Sequence, residues 1–260
     1  MPFRYFNPHE AAEYLHLSQA DLDRLVQDRD IPFEKRGARM VFRRRELDDW
    51  ASRRILSASA GRLAEFHQRS TQRTHALLHG DLLLQELIRS EQIDPAMTAK
   101  TKASVLRDLV ALADRTGWIC DPAELIASLQ AREALCSTAV PGGVAFLHPR
   151  AQQPFRFTAS FLVLGRTMQP IHYGAPDGQP TDLFFLLGCQ DERLHLHTLA
   201  RLCLMAQKTE LLAQLRTAPD APAMLACLLA AECAWRLTQA GPRGSGRGVN
   251  WSTWPASSAR

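Results

Sequence analysis

No stretch of the 260-residue sequence approaches the roughly 18 consecutive apolar residues that a membrane-spanning helix requires, so insertion into a bilayer is not expected. The first residues, MPFRYFNPHEAAEYL, lack the apolar core and small-residue cleavage site of a secretory signal. Cysteine is sparse: Cys120, Cys136, Cys189, Cys203, Cys227 and Cys233 include no CxxC spacing. Their apolar or helical-looking surroundings suit reduced, packed thiols in a cytoplasmic protein. That spacing offers no zinc site, and neither a metal nor a cofactor is expected. Excess charge is lacking too, because a formal net charge of +4 is too small to argue for nucleic acid by itself.

What is present is uneven. Hydrophobic residues make up 46% of the chain, enough for one large domain or two modest ones. Positive charge is concentrated in KRGARMVFRRR, where Lys35, Arg36, Arg39, Arg43, Arg44 and Arg45 occur with no acid among them. Such a cluster suits a phosphate backbone, although charge alone is equally consistent with a solvated loop.

Residues 1–56 read as a small, mainly helical module. Asn7 is placed to cap a helix with Pro8 at its first position, and Ser18 to cap a second that stops at Pro32. The short break between them is what a helix-turn-helix needs. Two strand-like runs flank Gly37, and a final helix from about Glu46 carries Leu47 and Trp50 inward. The order AAEYLHLS…LDRLVQDRDIPFEKRGARMVFRRRELDDWA resembles the excisionase-type, MerR-like helix-turn-helix family over about residues 5–55. The resemblance implies a winged module whose second helix enters the major groove, with Gln19, Asp21 and Arg24 near its exposed start. The basic wing residues would then grip phosphates.

Residues 57–81 form a polar connector that could be partly helical, joining the modules or pairing two subunits. From residue 82 to about 238 the pattern is α/β. Helical periods in TKASVLRDLVALADRTG and DPAELIASLQAREAL precede three apolar strand-like runs, GVAFLH, ASFLVLG and DLFFLLGC, followed by more helices. Residues 239–260 are Gly/Ser-rich and expected to be disordered, with Trp251 and Trp254 leaving a docking role open.

His148 ends an apolar run, and His195 opens a helical one. Each on its own reads first as a packed core histidine, and the pattern alone does not carry a chemical role. However, LQAREALCSTAVPGGVAFLHPR and the later GAPDGQPTDLFFLL and HLHTLARL segments resemble the enzyme IIA domain of the fructose/mannitol/nitrogen-regulatory class of the bacterial phosphotransferase system. That resemblance implies a mixed β-sheet flanked by helices. It also implies that His148 accepts a phosphoryl group, that His195 stabilises the phosphate, and that Arg132, Glu133, Ser137, Thr138 and Arg150 border the site. Asp177, Gly178 and Asp182 read as structural, and His172 and His197 carry no assigned role. The sequence departs from the family at Leu147, where proline is usual, at Pro149, where alanine is usual, and at Cys136, which replaces glycine. A proline moved across the histidine changes the backbone constraints on both sides.

The expected protein is a phosphorylation-responsive regulator, served by an HPr-type phosphocarrier and binding DNA, with a homodimer suited to palindromic sites. A phosphocarrier component passing phosphoryl to another chain, and an interaction protein without chemistry, are the alternatives. The first two require the imidazoles of His148 and His195 to converge on an open pocket able to hold an anion.

Overall fold

A computed structural model describes residues 5–74, 83–150 and 156–239 of the chain. Local signals set the first elements. The Asn7 side chain accepts from the Glu10 amide while the Glu10 carboxylate accepts from the Asn7 amide, fixing the start of α1 (Pro8–Tyr14). Ser18 caps α2 (Gln19–Gln27) through the Asp21 amide. Strands β1 (Tyr5–Phe6), β2 (Glu34–Arg36) and β3 (Arg39–Arg43) form an antiparallel sheet in the order β1-β3-β2. The β2–β3 turn needs the left-handed backbone of Gly37, at φ +62°. Helix α3 (Arg44–Leu56) follows directly, and its Trp50 Nε1 donates to the Asp30 carbonyl, closing the module.

The connector contains a 15-residue helix, α4 (Ala60–Thr74), and part of it, like the expected tail with Trp251 and Trp254, lies outside the described residues. Helix α5 (Leu83–Leu87) leads into the second domain, whose helices α6 (Lys102–Asp114) and α7 (Pro122–Glu133) are capped by Thr101 and Asp121. Five strands, β4 (Ile93–Met97), β5 (Ala139–Val140), β6 (Val144–Leu147), β7 (Phe161–Ile171) and β8 (Thr181–Gly188), form a mixed sheet in the order β4-β7-β8-β6-β5. The β4–β7 and β6–β8 pairs are parallel, and the others antiparallel. Helices α8 (Glu192–Lys208), α9 (Leu211–Thr217) and α10 (Ala221–Gln239) complete the chain.

The central strands are apolar on both faces, so the sheet is covered on both sides. Phe146, Leu164 and Phe185 join the core that holds α8 and α10. Ala145, Leu147, Val163 and Phe184 face α6 and α7. Gly165 permits the close approach of α6 to β7, since a Cβ there would lie 2.0 Å from Met97 Sδ and 3.0 Å from Leu109 Cδ2. The α8 core also runs without interruption into Leu22, Leu25 and Leu47 of the N-terminal module. Helix α4 bridges the two by packing along α8.

Asp177 and Gly178 form a turn in which the Gly178 amide donates to the Ala175 carbonyl. Asp182 pairs with Arg216.

Candidate functional site

His148 is the residue after β6, and His195 stands on the first turn of α8, which follows β8. Because β6 and β8 are parallel neighbours, both histidines emerge at the carboxyl ends of adjacent strands, where open α/β sheets place their ligand sites. Their ring centroids are 5.0 Å apart. The convergence expected from the sequence is therefore met. Openness is not: His148 is 2% exposed and His195 1%, so the rings lie in an enclosed site. Openness depends on what packs over a strand end, which strand periodicity does not encode.

The hydrogen bonds fix the state of His148. Its Nδ1 lies 2.9 Å from the Phe146 carbonyl oxygen, which can only accept, so Nδ1 carries the proton. Nε2 is then a lone pair, and it accepts from Arg132 Nε at 3.1 Å. Burial, followed by the nearby Arg132 guanidinium and His195, holds His148 well below the ordinary imidazole range. Burial and then Arg132 depress His195 to about 3. Both rings are neutral in this site, as a nucleophilic nitrogen requires.

Arg132 lies in the last turn of α7 and is 1% exposed. Besides His148 it holds the Cys136 carbonyl through Nη1 at 3.0 Å, and that same nitrogen lies 3.5 Å from Cys136 Sγ. Its Nη2 is buried with no hydrogen-bond partner among the described residues. A buried cation with a spare donor beside two neutral imidazoles is chemically suited to an anion.

The remaining residues support this centre from outside it. Glu133 accepts from the amide and hydroxyl of Thr138, and burial pushes its carboxyl upward. The Ser137 hydroxyl donates to the Tyr173 carbonyl at 2.8 Å. Among the described residues, neither Ser137 nor Thr138 bonds to an imidazole; they fix the loop from α7 to β5. The Arg150 amide donates to Ser128 Oγ at 3.1 Å, and its guanidinium pairs with Asp49 of α3 at 3.1 Å. Asp49 escaped the sequence reading because an acid on a basic module's last helix resembles a solvated one.

The departures have clear consequences. Leu147 pairs in register with Leu186 and is buried against α6 and α7, so β6 runs to the edge of the site. A proline there would remove a backbone donor. Pro149 does not turn the ring away from its partner, since His148 still faces His195.

In the N-terminal module Gln19, Arg24, Lys35, Arg36, Arg39, Arg43 and Arg45 are exposed. Arg36 lies over the Tyr5 ring at 3.9 Å, and Arg43 pairs with Glu34 and, at 3.5 Å, with Glu46. Asp21 instead pairs with Arg69 of α4 at 3.6 Å. Arg44 is half-buried beside Tyr14, Asp48 and Asp191, at the junction between modules rather than on the wing. Among the described residues no group of three or more His, Cys, Asp or Glu could hold a metal ion, and no helix is long and apolar enough to cross a membrane.

Comparisons with known proteins bear on the two domains and their fold. Residues 86–231 match the family described as the phosphoenolpyruvate-dependent sugar phosphotransferase system, EIIA 2, and residues 5–55 match a helix-turn-helix domain. A nitrogen regulatory protein of Bradyrhizobium diazoefficiens is 33% identical over 145 residues, covering 55% of this chain and 92% of that protein. The fructose-specific EIIABC component of Bacillus subtilis is 26% identical over 142 residues, or 54% of this chain and only 22% of that protein. The crystal structure of nitrogen regulatory protein IIA-Ntr from Neisseria meningitidis superposes with a TM-score of 0.51 at 27% identity, covering 56% of this chain and 99% of that one. With more than half of its length matched, the chain belongs to the EIIA type-2 family of the phosphotransferase system, and it carries a helix-turn-helix domain ahead of the matched region.

Proposed function

We propose that this chain is a bacterial cytoplasmic regulator that accepts a phosphoryl group on His148 Nε2 from an HPr-type phosphocarrier and binds DNA through its N-terminal module. The observation that carries the proposal is the His148–Arg132–His195 cluster. The lone pair on Nε2 attacks phosphorus as the donor's N–P bond breaks, and the donor imidazole keeps that electron pair. The proton stays on Nδ1 throughout, donated in a hydrogen bond to the Phe146 carbonyl. Arg132 exchanges its bond to Nε2 for a phosphoryl oxygen, and His195 lies close enough to stabilise the same group. Arg150 borders the pocket, while Glu133, Ser137 and Thr138 hold the loop beside Arg132. The exposed basic residues of the wing contact DNA phosphates, and the start of α2 lies in the major groove of sites that a homodimer would span.

Incubation with upstream phosphocarriers and a labelled phosphoryl donor tests the first half. Acid-labile label that disappears in His148→Ala is the expected result. The enclosure of His148 favours a second reading, an EIIA-like interaction protein without chemistry, and absence of label would establish that instead. Gel-shift titration of Arg39→Ala and Arg45→Ala tests the DNA half, these two being preferable to Arg43, which is engaged with Glu34. Unchanged DNA affinity in both would leave a phosphocarrier that passes its phosphoryl group to another chain.

A further inference from the structure

The enclosure of the histidine pair calls for a physical cause. On the β6 side, Arg150 lies two residues beyond His148 and is held by Asp49 of α3 at 3.1 Å. On the α8 side, Asp191 receives the His195 amide on its carbonyl, and its carboxylate lies near Tyr14 and Arg44 of the same N-terminal module. Between these points α3 packs on α8, the helix that carries His195. We propose that the N-terminal module is a docked cover over the histidine pair, latched by the Asp49–Arg150 ion pair, and that it must lift before a phosphocarrier can reach His148.

The two halves of the junction differ in a way that defines the moving part. Helix α4 is tied to α8 by a buried network: Ser70 Oγ lies 2.7 Å from His197 Nδ1, and Arg201 donates to His67 at 3.0 Å. Opening this network would bury or strand several polar groups without partners, so α4 stays. The N-terminal module is held instead by apolar contact of Leu22, Leu25 and Leu47 with the α8 core and, at its edge, by the latch, an ion pair in which Arg150 is partly exposed and Asp49 buried. The hinge is Ser57–Ser59, between the end of α3 and the start of α4.

Arg150 gives the cover its logic. Its guanidinium serves either Asp49 or a phosphoryl group on His148. A phosphoryl group adds about −1.5 to −2 of charge, on the scale of phosphorylated hydroxyls. That charge competes with Asp49 for Arg150 and also repels Asp48 and Asp49. Undocking and phosphorylation therefore favour one another, and by linkage each promotes the other to the same degree.

The inference rests on the acceptor reading only for the identity of what is covered, and its test needs no phosphoryl transfer. Full-length wild type and Asp49→Ala are treated with diethylpyrocarbonate, and carbethoxylation of each histidine is followed by mass spectrometry. The quantity read is labelling at His148 relative to His67 and His197, which lie in the network expected to stay closed and so correct for any general loosening. A rise in this ratio of about fivefold in Asp49→Ala is expected, the scale of losing one ion pair at the edge of the junction. An unchanged ratio overturns the cover. If the ratio rises but His148 takes no label from the phosphocarriers, the cover stands and the acceptor reading fails; if His148 is phosphorylated with the ratio unchanged, the reverse holds.

Discussion

Two buried clusters in this protein use nearly the same parts, and only one leaves its arginine without a carboxylate partner among the described residues. At the centre of α8, His67 and His197 lie with ring centroids 4.2 Å apart around Arg201. Arg201 is neutralised by Glu232 at 2.5 Å and also reaches both imidazoles, while Glu232 accepts from the Leu84 amide. At the start of α8, His148 and His195 surround Arg132, which has no carboxylate partner among the described residues and keeps one unpaired nitrogen. Two imidazoles and an arginine are therefore not a site in themselves. A bound carboxylate turns the cluster into a structural tie, and its absence leaves a place for an anion.

Substitution of the two arginines gives the sharpest way to break the comparison. Arg201→Met leaves Glu232 buried without its cation and is expected to cost about 3–5 kcal/mol in urea unfolding, with the site's chemistry intact in whatever fraction stays folded. Arg132→Met strands no carboxylate, so its stability cost is smaller. It removes the donor proposed to bind the phosphoryl group, and on that proposal the rate of phosphoryl acceptance should fall about 100-fold or more. Equal stability losses in the two variants would erase the distinction.

Acidification comes next in size. Burial holds His67, His148 and His197 well below 6.5, and His195 at about 3. The unfolded chain takes up these protons near pH 6.5 while the folded clusters refuse them. Stability is thus full above about pH 6.5 and falls as pH drops below it, by at most about 1.4 kcal/mol per pH unit for each histidine, with the His195 contribution extending down to about pH 3. Thermal unfolding from pH 7 to 5 measures this, and His195→Gln should flatten the slope by one proton. The smallest effect is on DNA: Arg39→Ala should weaken binding to all sequences alike and reduce the salt slope by about one.

Much of the frame was legible because it is locally encoded. Asn7 and Ser18 cap the helices they were expected to cap, and β6, β7 and β8 were readable because both their faces are apolar. Strand β4 was not, since Pro95 and Ala96 interrupt its β character, and β5 has only two residues. The histidine pair rested on resemblance, because a lone buried histidine has the same pattern whether it ties a core or attacks phosphorus. His197 illustrates the point: it is two residues from His195 on the same helix and belongs to the other cluster. The enclosure, Asp49 and the displaced Arg44 depend on how the modules dock, which no local period records.

The most direct test of the central claim is NMR of the phosphorylated full-length protein with 15N-labelled histidine, which identifies the nitrogen bonded to phosphorus. Phosphorus on Nε2 of His148, with the proton retained on Nδ1, is the predicted result. Phosphorus on Nδ1, on another residue, or on no histidine at all would contradict it.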